Sequence, residues 1–106
     1  MIINLSNIDL PEKIVKSLDE IFNSFESIER VILFGSRARK ENKKSSDIDL
    51  AIYGVDEEKV KIINRIDEIN TLYSFDIIFV DNETSDKLLQ QIKKDGVIIY
   101  NREKES

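Results

Sequence analysis

Phe34-Gly35-Ser36, then ten residues, then Asp47-Ile48-Asp49-Leu50-Ala51-Ile52 is the stretch that decides the fold of this 106-residue chain. Successive side chains on a strand point to opposite faces. Asp47 and Asp49 therefore share a face, while Ile48, Leu50 and Ile52 point the other way into apolar packing. Two carboxylates side by side repel each other. A divalent cation relieves that repulsion, and Mg²⁺ typically takes one or two carboxylates plus substrate phosphates. Taken alone, Asp-x-Asp more often marks the wet face of an edge strand. Asp76 changes the balance, because it interrupts the otherwise apolar run Phe75-Asp76-Ile77-Ile78-Phe79-Val80. A charge in a buried strand needs a partner. If this strand lies beside 47–53, three carboxylates meet; the alternative for Asp76 is a strand-end residue facing water.

Gly35-Ser36 supplies the other half of the pattern. Glycine permits a sharp exit from the strand and close approach of a ligand to the backbone. Ser36 offers a hydroxyl and a backbone N–H at the start of a short helix over 36–41, an arrangement suited to an anion. By itself the pair more often marks an ordinary strand-to-helix turn with a Ser cap. Gly-x-x-x-x-Gly-Lys is absent, so this is no P-loop. From Arg37 to Ser46 there are five cations and one acid, a local charge of +4 against −9 for the remainder. Such runs are usually solvated loops. Arg37, next to Ser36, is the member placed to face a phosphate.

Working outward, Asp9, Pro11 and Glu12 suggest a helix start with Asp9 as cap. Ile14, Leu18, Ile21, Phe22 and Phe25 then recur at helical spacing, predicting a helix over 11–25. Val31–Phe34, Asp47–Tyr53, Phe75–Val80 and Val97–Tyr100 read as strands. Asp56 is the expected cap of a helix with the stripe Ile62, Ile63, Ile66 and Ile69. Ser85–Lys94 is the last predicted helix, with Leu88, Leu89 and Ile92 inward and Gly96 as its stop. The expected class is α/β (α+β), with helices covering a small sheet. A single domain over 1–100 is expected, followed by a charged, flexible tail over 101–106.

Composition narrows the chemistry. The chain has no Cys and no His. Disulfides, thiol nucleophiles, most structural zinc sites and Ser-His triads are thereby excluded. Catalysis must rest on carboxylates, hydroxyls, Lys, Arg or an oxygen-bound metal. No apolar run approaches the ~20 residues of a membrane helix, and the first ten residues carry no Lys or Arg for a secretory signal. The expected setting is cytoplasmic. A net charge of −5 argues against stable, nonspecific nucleic-acid binding.

Together these residues resemble the DNA polymerase beta-like nucleotidyltransferase superfamily, whose pattern is Gly-Ser, a spacer, Asp-x-Asp and a third carboxylate on a later strand. Phe34-Gly35-Ser36-Arg37-Ala38-Arg39, Ser46-Asp47-Ile48-Asp49-Leu50-Ala51-Ile52 and the closing Leu88-Leu89-Gln90-Gln91-Ile92 through Gly96 to Tyr100 are similar to its minimal nucleotidyltransferase (MNT) family. Members of that family are antitoxin partners of HEPN-domain toxins. The resemblance implies the polymerase beta-like fold, a small mixed sheet with helices packed on one face, and two Mg²⁺ ions held by Asp47, Asp49 and Asp76, which are also the catalytic set. It implies that Gly35, Ser36 and Arg37 bind the nucleotide. It further implies transfer of AMP from ATP to a tyrosine hydroxyl of a HEPN ribonuclease, which is thereby silenced. So short a chain leaves little for gripping an acceptor, so the partner is expected to bring its own; homo- and hetero-oligomers both fit. Two other functions remain open. One is a non-catalytic antitoxin that blocks its partner sterically. The other is a small-molecule nucleotidyltransferase with an acceptor pocket built by dimerisation.

Overall fold

The computed structural model describes residues 10–35, 47–69 and 71–102. Its elements run α1 (Glu12–Ser24), β1 (Arg30–Phe34), β2 (Ile48–Tyr53), α2 (Lys59–Asp67), β3 (Phe75–Val80), α3 (Asp86–Asp95) and β4 (Val97–Asn101). The strands form one sheet in the order β3-β2-β1-β4. β1 pairs antiparallel with both β2 and β4, and β2 runs parallel to β3. The alternation of helices with strands is as the periodicity predicted, and the mixed sheet is as the resemblance implied.

Alternation along the strands sorts the core. Val31, Leu33, Ile48, Leu50 and Ile52 are completely buried. They pack under Leu18, Ile21 and Phe22 of α1 and Ile62 and Ile66 of α2. Phe34 and Ala51 face the other way, with Ile32, Tyr53, Ile78 and Val80, against Leu88 and Ile92 of α3. The expectation of helices on one face therefore needs correction: α1 and α2 cover one face and α3 the opposite one. Topology supplies the reason. β2, β3 and β4 all run in one direction, so α2 and α3 are each crossovers between parallel strands. The first moves outward to the β3 edge, and the second returns across the sheet to the β4 edge. Crossovers of this kind are right-handed almost without exception, so two that travel in opposite directions lie on opposite faces.

The helix ends depart from expectation in instructive ways. Asp9, the expected cap of α1, lies outside the described residues; Pro11 occupies the N-cap position, with φ −59° and ψ 141°. Asp56 does not cap α2. Glu58 holds that position without a side-chain capping bond, because its carboxylate instead accepts from the Ser27 hydroxyl at 2.9 Å. Ser85 does cap α3, accepting from the Leu88 N–H at 3.2 Å. Gly96 ends α3 in extended backbone, φ −70°. Its lack of a side chain matters for space, since a Cβ there would strike the Ile92 carbonyl oxygen and Ile32 Cγ2.

β4 continues past the expected boundary. Asn101 pairs with Arg30, and Arg102 donates from Nη2 to the carbonyls of Phe22, Asn23 and Phe25 at 3.1–3.4 Å. Its Nε donates to Ile28 at 3.2 Å. One guanidinium thus adds donors to carbonyls at and just beyond the C-terminal end of α1. Residues 103–106, the remainder of the expected tail, lie outside the described residues. Among the described residues no helix is long and apolar enough to cross a membrane.

Candidate active site

Three strand ends meet at one edge of the α3 face. Phe34, the last residue of β1, is the register partner of Asp49 on β2. Asp49 in turn is the register partner of Asp76 on β3. Neighbouring strands lie about 4.8 Å apart, so the two carboxylates start from adjacent backbone positions on one face. The expectation was a cluster of Asp47, Asp49 and Asp76 on a buried strand; the register brings Asp49 and Asp76 together, with Asp76 exposed on a strand that is only partly buried. The parallel register is anchored nearby by the Ile48 N–H, which donates to the Ser74 carbonyl at 2.8 Å.

The three aspartates differ in setting. Asp49 is half-buried, Asp76 is exposed on the edge strand, and Asp47 is exposed one residue ahead of β2. The expectation that Asp47 lies within the strand is off by that one residue. Among the described residues, no group of three or more acidic side chains is close enough to form a metal-holding cluster by itself. Ser36 and Arg37 lie outside the described residues, as do the short helix expected over 36–41 and the rest of the basic segment.

Gly35 has a part that sequence reasoning reached only halfway. It is buried, and its φ of 76° lies in the left-handed region, as a sharp exit from β1 requires. A Cβ at this position would also collide with Asp49 Oδ2. The glycine therefore leaves the room in which the Asp49 carboxylate sits. The glycine was the only signal in the sequence; which side chain occupied the vacated space depended on the β1–β2 register.

The donor set suits a hard cation. It consists of carboxylate oxygens only, and Asp49 and Asp76 supply two of them from adjacent strands. Mg²⁺ characteristically takes one or two carboxylates and completes its shell with water and substrate phosphates rather than with an all-protein cage. The absence of a closed three-acid cluster among the described residues is compatible with that mode of binding. Asp49 and Asp76 are the two carboxylates that the sheet register sets side by side for such a role.

A family model described as polymerase beta, nucleotidyltransferase, matches residues 16–105. The chain belongs to this family. No curated protein matches it significantly. Among solved structures, this nucleotidyltransferase is similar to a chain from Shewanella oneidensis with TM-score 0.64 and 15% identity, over 88% of this chain and 74% of that one. A toxin–antitoxin complex with AMP-PNP contains a chain similar at TM-score 0.62 and 20% identity, over 83% and 73% of the two chains. A third similarity is to a complex of tri-AMPylated Shewanella oneidensis HEPN toxin with MNT antitoxin. Its TM-score is 0.55 and identity 18%, over 84% and 71%. At these identities the likeness is one of fold.

Proposed function

We propose that this nucleotidyltransferase is an antitoxin that uses Mg²⁺ and ATP to place AMP on a tyrosine hydroxyl of a partner HEPN ribonuclease toxin. The observation that carries the reading is the Asp49–Asp76 register beside Gly35, in a chain of this family. The similar folds support the partner: one is described with AMP-PNP and another with an AMPylated HEPN toxin.

The residues divide the work by position. Gly35 keeps backbone close to the site, and Ser36 and Arg37 follow it as donors to the triphosphate. Asp49 is held half-buried against Gly35 as a fixed ligand. Asp76 is exposed on an edge strand, where a hydroxyl brought from outside can reach it; with no His in the chain, it is the base that takes the phenolic proton. The phenolic oxygen bonds to the α-phosphorus, the α–β phosphoanhydride bond breaks, and pyrophosphate leaves. Bound Mg²⁺ supplies charge neutralisation and Lewis acidity at the phosphates. AMP adds bulk and negative charge, which near an RNA-binding cleft repels the nucleic-acid backbone.

The test is to incubate the chain with its candidate toxin, ATP and Mg²⁺ and weigh the toxin intact. A gain of one or more AMP units, absent with Asp49→Asn, is the expected result. An unmodified toxin inhibited equally well by the Asp49→Asn variant would instead make the chain a steric blocker. Calorimetric titration of ATP should show binding that is lost in EDTA; equal affinity without metal contradicts the metal-dependent site.

A further inference from the structure

The far end of the α3 face carries a second set of polar groups. Arg30 and Tyr53 are register partners there, with the guanidinium carbon 4.4 Å from the centre of the phenol ring. Beside them a cleft of about 410 Å³ opens between sheet and α3, lined by Arg30, Ile32, Tyr53, Leu89, Ile92 and Lys93. That size falls within the ~300–1,000 Å³ of small-molecule sites. None of the lining residues is acidic, in a chain whose net charge is −5. Arg30 Nε is buried without a hydrogen-bond partner. Buried donors are normally satisfied, so this orphan needs a reason. Stacking on Tyr53 gives one: the ring attracts the cation and holds it partly stripped of water at the cleft wall.

We propose that this cleft binds a small organic anion, a carboxylate or phosphate monoester carried on an apolar or planar body. Arg30 and Lys93 take the charge. Ile32, Leu89, Ile92 and the Tyr53 ring take the body. A bare inorganic anion would leave the aliphatic wall without a contact, and a neutral ligand would make no use of the two cations that line the cleft. The cleft is distinct from the carboxylate end. Tyr53 is four residues along β2 from Asp49, about 13 Å at the rise of a strand.

Phenyl phosphate is a suitable probe, with phenol and inorganic phosphate as controls and EDTA present to keep metal from the aspartates. Titration into the full chain is followed by ¹H–¹⁵N spectra that include the arginine Nε–H region. The expected result is saturable shifts at Arg30 Nε–H and at the Leu89 and Ile92 amides, with both controls binding at least about tenfold more weakly. Arg30→Met and Lys93→Met should each weaken binding by about tenfold or more, the scale of one charge-assisted hydrogen bond. Lys93 is exposed on α3, so its variant carries the test even if Arg30→Met fails to fold. Phenol or inorganic phosphate binding as tightly as phenyl phosphate would overturn the proposal. So would shifts that survive Lys93→Met, or shifts centred on Asp49 and Asp76.

Discussion

The two faces of the sheet are built from the same strands and treat charge in opposite ways. On the α1/α2 face, β1 and β2 contribute only Val31, Leu33, Ile48, Leu50 and Ile52, all completely buried. On the α3 face the same two strands contribute Arg30, Ile32 and Phe34, and Asp49, Ala51 and Tyr53. There the apolar residues sit in the middle under α3, while charge is confined to the ends. Two helices cover the first face and a single ten-residue helix the second. This fold holds ionised groups at low cost at strand ends that a short crossover helix does not reach.

The largest stability effect should come from the all-apolar face. Leu50→Ala should cost about 2–5 kcal/mol in urea denaturation, for lost transfer energy and the cavity left behind. Ile78→Ala, on the half-covered face, should cost less than half as much. Equal losses would erase the distinction between the faces.

Gly35→Ala should come next. Forcing an L-residue into the left-handed region costs about 1–2 kcal/mol, and the added methyl must displace the Asp49 carboxylate. Melting temperature and Mg²⁺-dependent ATP binding should fall together. A variant that melts earlier yet binds ATP normally would mean that the glycine serves only the turn.

Ser85→Ala removes the capping bond of α3 and should cost about 1 kcal/mol, with nucleotide binding unchanged. The smallest effect on stability should come from Asp76→Asn, within about 0.5 kcal/mol by denaturation because the side chain is exposed. The same change should abolish AMP transfer, the greatest functional loss of the series. Retained transfer would make Asp76 a solvated edge residue and nothing more.

Much of this arrangement was legible in the sequence, and the remainder was not for identifiable reasons. β3 has the predicted boundaries, because Phe75–Val80 is an unbroken apolar run apart from Asp76. Asking what a charge does in such a run led to three carboxylates meeting; the register supplies two of them, Asp49 and Asp76, and leaves Asp76 exposed as its alternative reading had it. The side of the sheet taken by α3 was misjudged. Leu88, Leu89 and Ile92 show which face of the helix is apolar but not which face of the sheet it seeks. A clue did exist: Ile78 and Val80 are apolar on the face opposite Phe75, Ile77 and Phe79, so β3 needed cover on both sides. Arg102 gave no signal, since a lone arginine after a strand does not reveal that its partners are carbonyls some 80 residues earlier. The double role of Gly35 needed the β1–β2 register, which spacing alone does not set.

The parallel pairing of β2 with β3 has a kinetic consequence. Asp49 and Asp76 become neighbours only when a strand has closed on another across the whole α2 crossover, whereas Gly35 approaches Asp49 through the shorter β1–β2 connection. Chain entropy must be spent before such long-range contacts return any stabilisation, and pairing of this kind is intrinsically slow. The glycine side of the site can therefore be in place while its second carboxylate is still unpaired. A newly made chain therefore brings these two carboxylates together in a step separate from, and later than, closure of the β1–β2 pair.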